Sequence, residues 1–123
     1  MRTGLVVAAA VLADWGAAAQ AMPLPVFLDK ADALQRKGMV ALFSSDLSLL
    51  KNEVRAATEA LRAERLAAKR AGRPQAYCPT QEGGSMNSDE LLAALRQIPP
   101  AQRAHMDVKD GVRVMLARKF PCR

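Results

Sequence analysis

Few side chains in this sequence carry reactive chemistry, and their spacing decides what they can do. Cys78 and Cys122 are the only cysteines and His105 is the only histidine. A thiolate beside an imidazole makes a nucleophile with its base, but a cysteine already bonded to another cysteine cannot attack. His105 follows the Pro99-Pro100 turn, has no serine or cysteine in an elbow or triad motif to serve, and reads as a surface residue. Asp89 with Glu90, and Asp107 with Asp110, resemble carboxylate pairs for acid–base work. Both pairs fall in the first turn of an expected helix, where negative charge offsets the positive end of the helix dipole, so capping accounts for them. Structural zinc takes four nitrogen or sulfur ligands, and one histidine with two cysteines falls short. The expectation is a chain that is not an enzyme, with no catalytic residue, no cofactor and no metal.

The elements that position these residues begin after an address label. Arg2 opens the chain with positive charge, Leu5–Ala13 is an apolar run, and Ala19 and Ala21 supply small residues at a cleavage site. This is the layout of a secretory signal peptide covering residues 1–21. The run is too short to span a bilayer, which takes about 20 residues. The domain is then residues 22–123, expected to be exported, most naturally to a periplasm, and to lack a transmembrane segment. Export changes the meaning of the cysteines, because oxidising compartments form and keep disulfides. A Cys78–Cys122 bond is favoured over an intermolecular bridge or a two-ligand metal site.

Helical periodicity runs through residues 22–123. Val26, Phe27, Ala31 and Leu34 share one face of a first helix that Gly38 stops. Met39–Phe43 is a short apolar link able to form a turn of helix, and Ser44, Ser45 and Asp46 offer N-cap oxygens. The longest helix runs from Leu47 to about Ala71, with Leu47, Leu50, Val54, Ala57, Leu61 and Ala68 as its apolar stripe. Gly72-Arg73-Pro74 ends it. Asn87 stands three residues before Glu90 in capping-box spacing, and Leu91, Leu92, Leu95 and Ile98 form the buried face that follows. Asp107 caps a last helix carrying Val108, Val112, Met115 and Leu116. Alternation of β-branched residues is absent. The fold class is all-α: one small domain of about four helices with one disulfide.

The net charge is +6, and the basic residues are concentrated. Residues 51–73 hold seven Lys or Arg against three Glu, and residues 103–123 hold six against two Asp. Export and the lack of aromatic residues among these bases argue against nucleic acid. Glu59 with Arg62, and Glu64 with Lys69, are spaced for local balance. The loop Pro79–Met86, with Gly83-Gly84 at its centre, is a protruding segment beside a cysteine anchor, and loops on rigid scaffolds often carry binding.

Cys78-Pro79, a short Gly/Ser-bearing loop, an amphipathic helix ending in proline and a last helix ending Phe120-Pro121-Cys122 occur in that order. This arrangement, from Cys78 to Arg123, resembles the Tai/Rap-type periplasmic immunity proteins of type VI secretion systems. Those are small, exported, helical proteins that protect a bacterium from cell-wall amidase toxins. The resemblance implies that Cys78 and Cys122 form the family's C-terminal disulfide. It also implies a toxin-binding surface, placed at Gln81, Glu82, Gly83, Gly84, Ser85, Met86 and Asn87. The function expected is that of an exported helical binding protein of the immunity type, with a secreted amidase toxin as its protein partner. The alternative is an envelope-associated structural protein that contacts anionic partners through its basic helix faces.

Overall fold

The computed structural model describes residues 21–79 and 86–123. Its helices are α1 (Leu24–Lys37), α2 (Ser45–Arg70), α3 (Ser88–Arg96), α4 (Pro100–Arg103) and α5 (Val108–Lys119), with a 3-10 segment, Gly38–Phe43, joining α1 to α2. The all-α class expected from periodicity is the one observed. The expected signal peptide lies outside the described residues up to residue 20. Among the described residues no helix is long and apolar enough to cross a membrane.

Local chemistry sets the helix ends. Gly38 and Gly72 take φ of 60° and 66°, the left-handed region that glycine enters without a Cβ penalty; Gly38 directly follows α1, and Gly72 follows α2 after Ala71. The Ser44 hydroxyl accepts from the Asp46 N–H at 3.3 Å at the start of α2. The Asn87 Oδ1 accepts from the Glu90 N–H at 2.8 Å at the start of α3. At α5 the capping box is complete: the Asp107 carboxylate accepts from the Asp110 N–H, and the Asp110 carboxylate from the Asp107 N–H. Glu90 makes only half of the expected box, because its carboxylate accepts from Lys119 Nζ at 2.6 Å instead.

The helices bury one continuous core. Leu24, Leu61, Leu95, Ile98, Val108 and Val112 are its largest fully buried side chains. Phe27, Leu28, Ala31, Leu34, Leu50, Ala57, Tyr77 and Met115 complete it. Val26 departs from the expected face of α1: it is exposed, and Leu24 and Leu28 take the inward positions. Gly111 lets α5 approach closely, since a Cβ there would lie 2.9 Å from Leu24 Cδ2 and 3.0 Å from Leu95 Cδ2.

A short antiparallel bridge holds the start of the domain against the start of α5. Leu24 N–H donates to the Met106 carbonyl and Val108 N–H to the Met22 carbonyl, each at 2.9 Å. The Met22 N–H also reaches Glu53 on α2 at 3.2 Å. With Lys30 bonded to Asp46, these links fix α1 and α2 as an antiparallel hairpin whose turn is the 3-10 segment. α2 is about 39 Å long at 1.5 Å per residue. The turn therefore sits at one end of α2 and Gly72, with the segment leading to Cys78, at the other.

Candidate functional site

The disulfide end is built from several interlocking contacts. Cys78 and Cys122 are bonded, with Cα atoms 4.9 Å apart. Beside the bond, the Cys78 N–H donates to the Phe120 carbonyl at 2.8 Å. Tyr77 is buried, and the Arg65 guanidinium of α2 lies 5.7 Å from its ring centre. The candidate partner-binding loop leaves from this anchor. Of its residues, Gln81, Glu82, Gly83, Gly84 and Ser85 lie outside the described residues. Met86 is half-buried against the core, and Asn87 commits its side-chain oxygen to capping α3.

The opposite end of α2 presents different chemistry. Within Gly38–Phe43 no residue is buried. Phe43 is 92% exposed and Met39 80%, and Val40 and Leu42 are also more than half exposed. Leu49 on α2 and Val26 on α1, lying between the Lys30–Asp46 and Met22–Glu53 links, are partly exposed as well. Scattered exposed apolar residues are ordinary, but four on six consecutive positions form a patch of the kind that marks an interaction site. The exposed cations Arg36 and Lys37 of the last turn of α1 rim it. The sequence shows these residues only as an apolar link. The detectable signal was their density: four large apolar side chains in six positions exceed what one helical face can bury.

The two basic stretches, alike by count, differ in the fold. In the C-terminal one, Glu64 of α2 bridges Lys109 and Arg113, and the Arg113 guanidinium also contacts Asp110 at 3.0 Å. Lys119 pairs with Glu90. Glu64 thus reaches across to α5 rather than balancing Lys69. The hydrogen bond from Lys109 holds its carboxyl below the usual value, against the opposing effect of burial and with help from Arg113. Burial raises the Asp110 carboxyl, but the Asp107 backbone N–H and Arg113 outweigh it and leave the value lowered. Burial also works against the Arg113 charge, and Glu64 and Asp110 overcome it. By contrast, Lys51, Arg55, Arg62 and Lys69 on α2 are exposed, and none has an acidic partner within ion-pair distance among the described residues.

Two shallow hollows mark the surface. One, about 520 Å³, holds Asp29, Asp32, Arg96 and Arg103 between α1 and the α3–α4 corner. Arg96 there is engaged by Asp32 and by Gln35 at 3.1 Å. The other holds His105 with Met106, Asp110 and Arg113. Its carboxylate and guanidinium are bonded to each other, and its lining contains no serine, threonine, cysteine or lysine. Asp89 and Glu90 sit in the first turn of α3 and Asp110 in that of α5, as capping predicts. No group of three or more His, Cys, Asp or Glu placed to hold a metal ion occurs among the described residues.

No protein-family model matches the chain, and no curated protein or solved structure does so either.

Proposed function

We propose that this chain is an exported helical binding protein that recognises a protein partner through its apolar end, Met39–Phe43. The observation that carries the reading is the 92% exposure of Phe43 within a run of exposed Met39, Val40 and Leu42. Aromatic and large aliphatic side chains are the usual anchors of protein interfaces, filling pockets on the partner where water is excluded. Arg36 and Lys37 at the rim favour a partner whose pocket is bordered by carboxylates and speed encounter with it. The likeness of Cys78–Arg123 to periplasmic immunity proteins supports a secreted cell-wall amidase toxin as that partner. A signal peptide and a disulfide suit a periplasmic location. In this reading the disulfide end is the rigid base, the loop Gln81–Met86 is a second contact with Asn87 capping α3 behind it, and α2 separates this end from the apolar one.

The test is capture from the native envelope of the tagged protein and of its Phe43→Ser and Leu42→Ser variants, with bound proteins identified by mass spectrometry. A stoichiometric peptidoglycan amidase or other secreted toxin on the wild type, lost from both variants, is the expected result. Capture of that partner undiminished by either substitution removes the apolar end from the interface. Deleting Glu82–Ser85 asks the same question of the loop.

A further inference from the structure

Of the α2 cations outside ion pairs, Arg65 lies over Tyr77 and Arg70, at the helix end, stands about 60° round the helix from the rest, while the other four share one line. At 100° per residue, Lys51, Arg55, Arg62 and Lys69 fall within an arc of about 40°, in a row about 27 Å long. Thr58 and Leu66 flank the row, and Glu59 is the one carboxylate bordering it, outside ion-pair distance among the described residues. Glu53 and Glu64, which point at Met22 and α5, occupy another side of the helix. Apart from Glu59 the stripe is thus separated from the acids of α2, whereas on α5 Lys109, Arg113 and Lys119 are paired and Arg118 stands alone among the described residues.

We infer that the Lys51–Lys69 stripe of α2 is a docking surface for an anionic phospholipid bilayer. The shape of the stripe selects the occupant. It is straight, convex and made of long exposed side chains, and neither of the two hollows described above lies along it. A protein interface of useful affinity needs a central aromatic or aliphatic anchor in a pocket, and the stripe presents none. Single-stranded nucleic acid needs aromatic platforms for its bases, and there are none among these cations. A plane of phosphate headgroups needs neither. It attracts clustered Lys and Arg through a surface potential that acts within a Debye length. A rigid helix with its cations on one line places all four at the same depth. This surface is distinct from the apolar end, and the inference stands without the protein-partner reading.

The experiment is co-sedimentation of the full chain with vesicles of phosphatidylcholine mixed with phosphatidylglycerol, and with vesicles of phosphatidylcholine alone. All variants share residues 1–20, so that segment contributes equally. Wild type should bind the mixed vesicles only, and high salt should release it. Substituting Arg55, Arg62 and Lys69 together by Gln should lower the partition coefficient roughly tenfold or more at low salt. The matched variant with Arg73, Arg118 and Arg123 changed to Gln loses the same total charge from exposed positions elsewhere and should stay within about threefold of wild type. Thermal melts of both variants show that each is folded. Equal losses in the two variants would reduce the effect to net charge and overturn the inference. Binding to neutral vesicles, or loss of vesicle binding in Phe43→Ser with the stripe variant unaffected, would overturn it in favour of the apolar end. Failure of wild type to bind mixed vesicles while it binds soluble polyglutamate through the same cations would replace the lipid by an acidic polymer.

Discussion

At one end of α2 the chain is closed on itself, and at the other it is left open. The disulfide end ties residues 44 positions apart with a covalent bond, a backbone hydrogen bond from Cys78 to Phe120, and a buried Tyr77 under Arg65. The apolar end has a comparable supply of large side chains, yet none in Gly38–Phe43 is buried. The difference shows where this small domain places its resources. Its core holds only two aromatic residues, Phe27 and Tyr77, among aliphatic ones, so burial alone stabilises it modestly. A chain in that position would gain by folding Phe43 and Leu42 inward, and it does not. Apolar area withheld from a small core is the physical argument for a surface kept for binding.

The largest effect should come from breaking the closed end. Replacing Cys78 and Cys122 together by Ser frees a long loop, at a cost of about 4 kcal/mol in the chain-entropy description. For a domain near this size that corresponds to a fall in Tm on the order of 15–30 °C. Differential scanning calorimetry of the variant should match that of the reduced wild type. If reduction leaves Tm unchanged, the closed end owes its order to Tyr77 and the backbone contact, and the contrast between the ends loses its covalent part.

A smaller loss should follow at the loop's far anchor. Asn87→Ala removes the side-chain cap of α3, worth about 1 kcal/mol, readable in urea unfolding. Partner affinity should change little beyond what the lost stability explains. A large loss of affinity with an unchanged urea midpoint would make Asn87 a contact residue and move recognition toward the closed end.

What was legible in the sequence divides along the same line. The caps Ser44, Asn87 and Asp107 and the stops Gly38 and Gly72 were readable because they act on backbone groups two to five residues away. The Cys78–Cys122 bond was readable because the expected leader implies an oxidising environment and the sequence holds no competing cysteine. The partners of Glu64 were not: Lys69 is near in sequence, but the helix wheel turns Glu64 toward α5, where Lys109 and Arg113 lie. The Pro23–Asp107 bridge joins segments with no shared pattern. The link Met39–Phe43 was legible as a turn of helix, and the 3-10 segment is one; its exposure was not, because apolar content records what a segment is made of and not whether anything covers it. Val26 shows the same limit within a helix.

The ion pairs between α2 and α5 should matter less to stability than the disulfide or the Asn87 cap, and their effect has a definite sign. Glu64 and Asp110 are held below their ordinary values of 4.5 and 3.8. A carboxylate whose folded-state pKa is lowered contributes stability that is complete above the unfolded value and is lost as pH falls through the folded one. Stability should therefore be level near neutrality from this source and decline from about pH 4.5 downward. Glu64 is about half exposed, so solvent screening limits its share to a few tenths of a kcal/mol. Glu64→Gln should narrow the gap between urea midpoints measured near neutrality and near pH 3.5. An unchanged gap would assign the acid sensitivity to Asp110 and the α5 capping box.

Phe43→Ser should leave stability within about 0.5 kcal/mol of wild type, since an exposed side chain loses little area on folding. That near-zero value is the sharpest form of the comparison, because Phe43 and Tyr77 are both aromatic residues at the ends of α2, one 92% and one 6% exposed. Tyr77→Ser, which opens a cavity beside the disulfide, should cost about 3 kcal/mol or more. If Phe43→Ser instead lowers Tm by several degrees, the 3-10 segment is covered in solution, by a second copy or by other residues of the chain. Sedimentation velocity would then separate those two causes, as only the first depends on concentration. If Tm is unchanged and affinity for a captured partner falls roughly thirtyfold, as loss of an interface anchor of about 2 kcal/mol requires, Phe43 serves recognition and contributes nothing to folding.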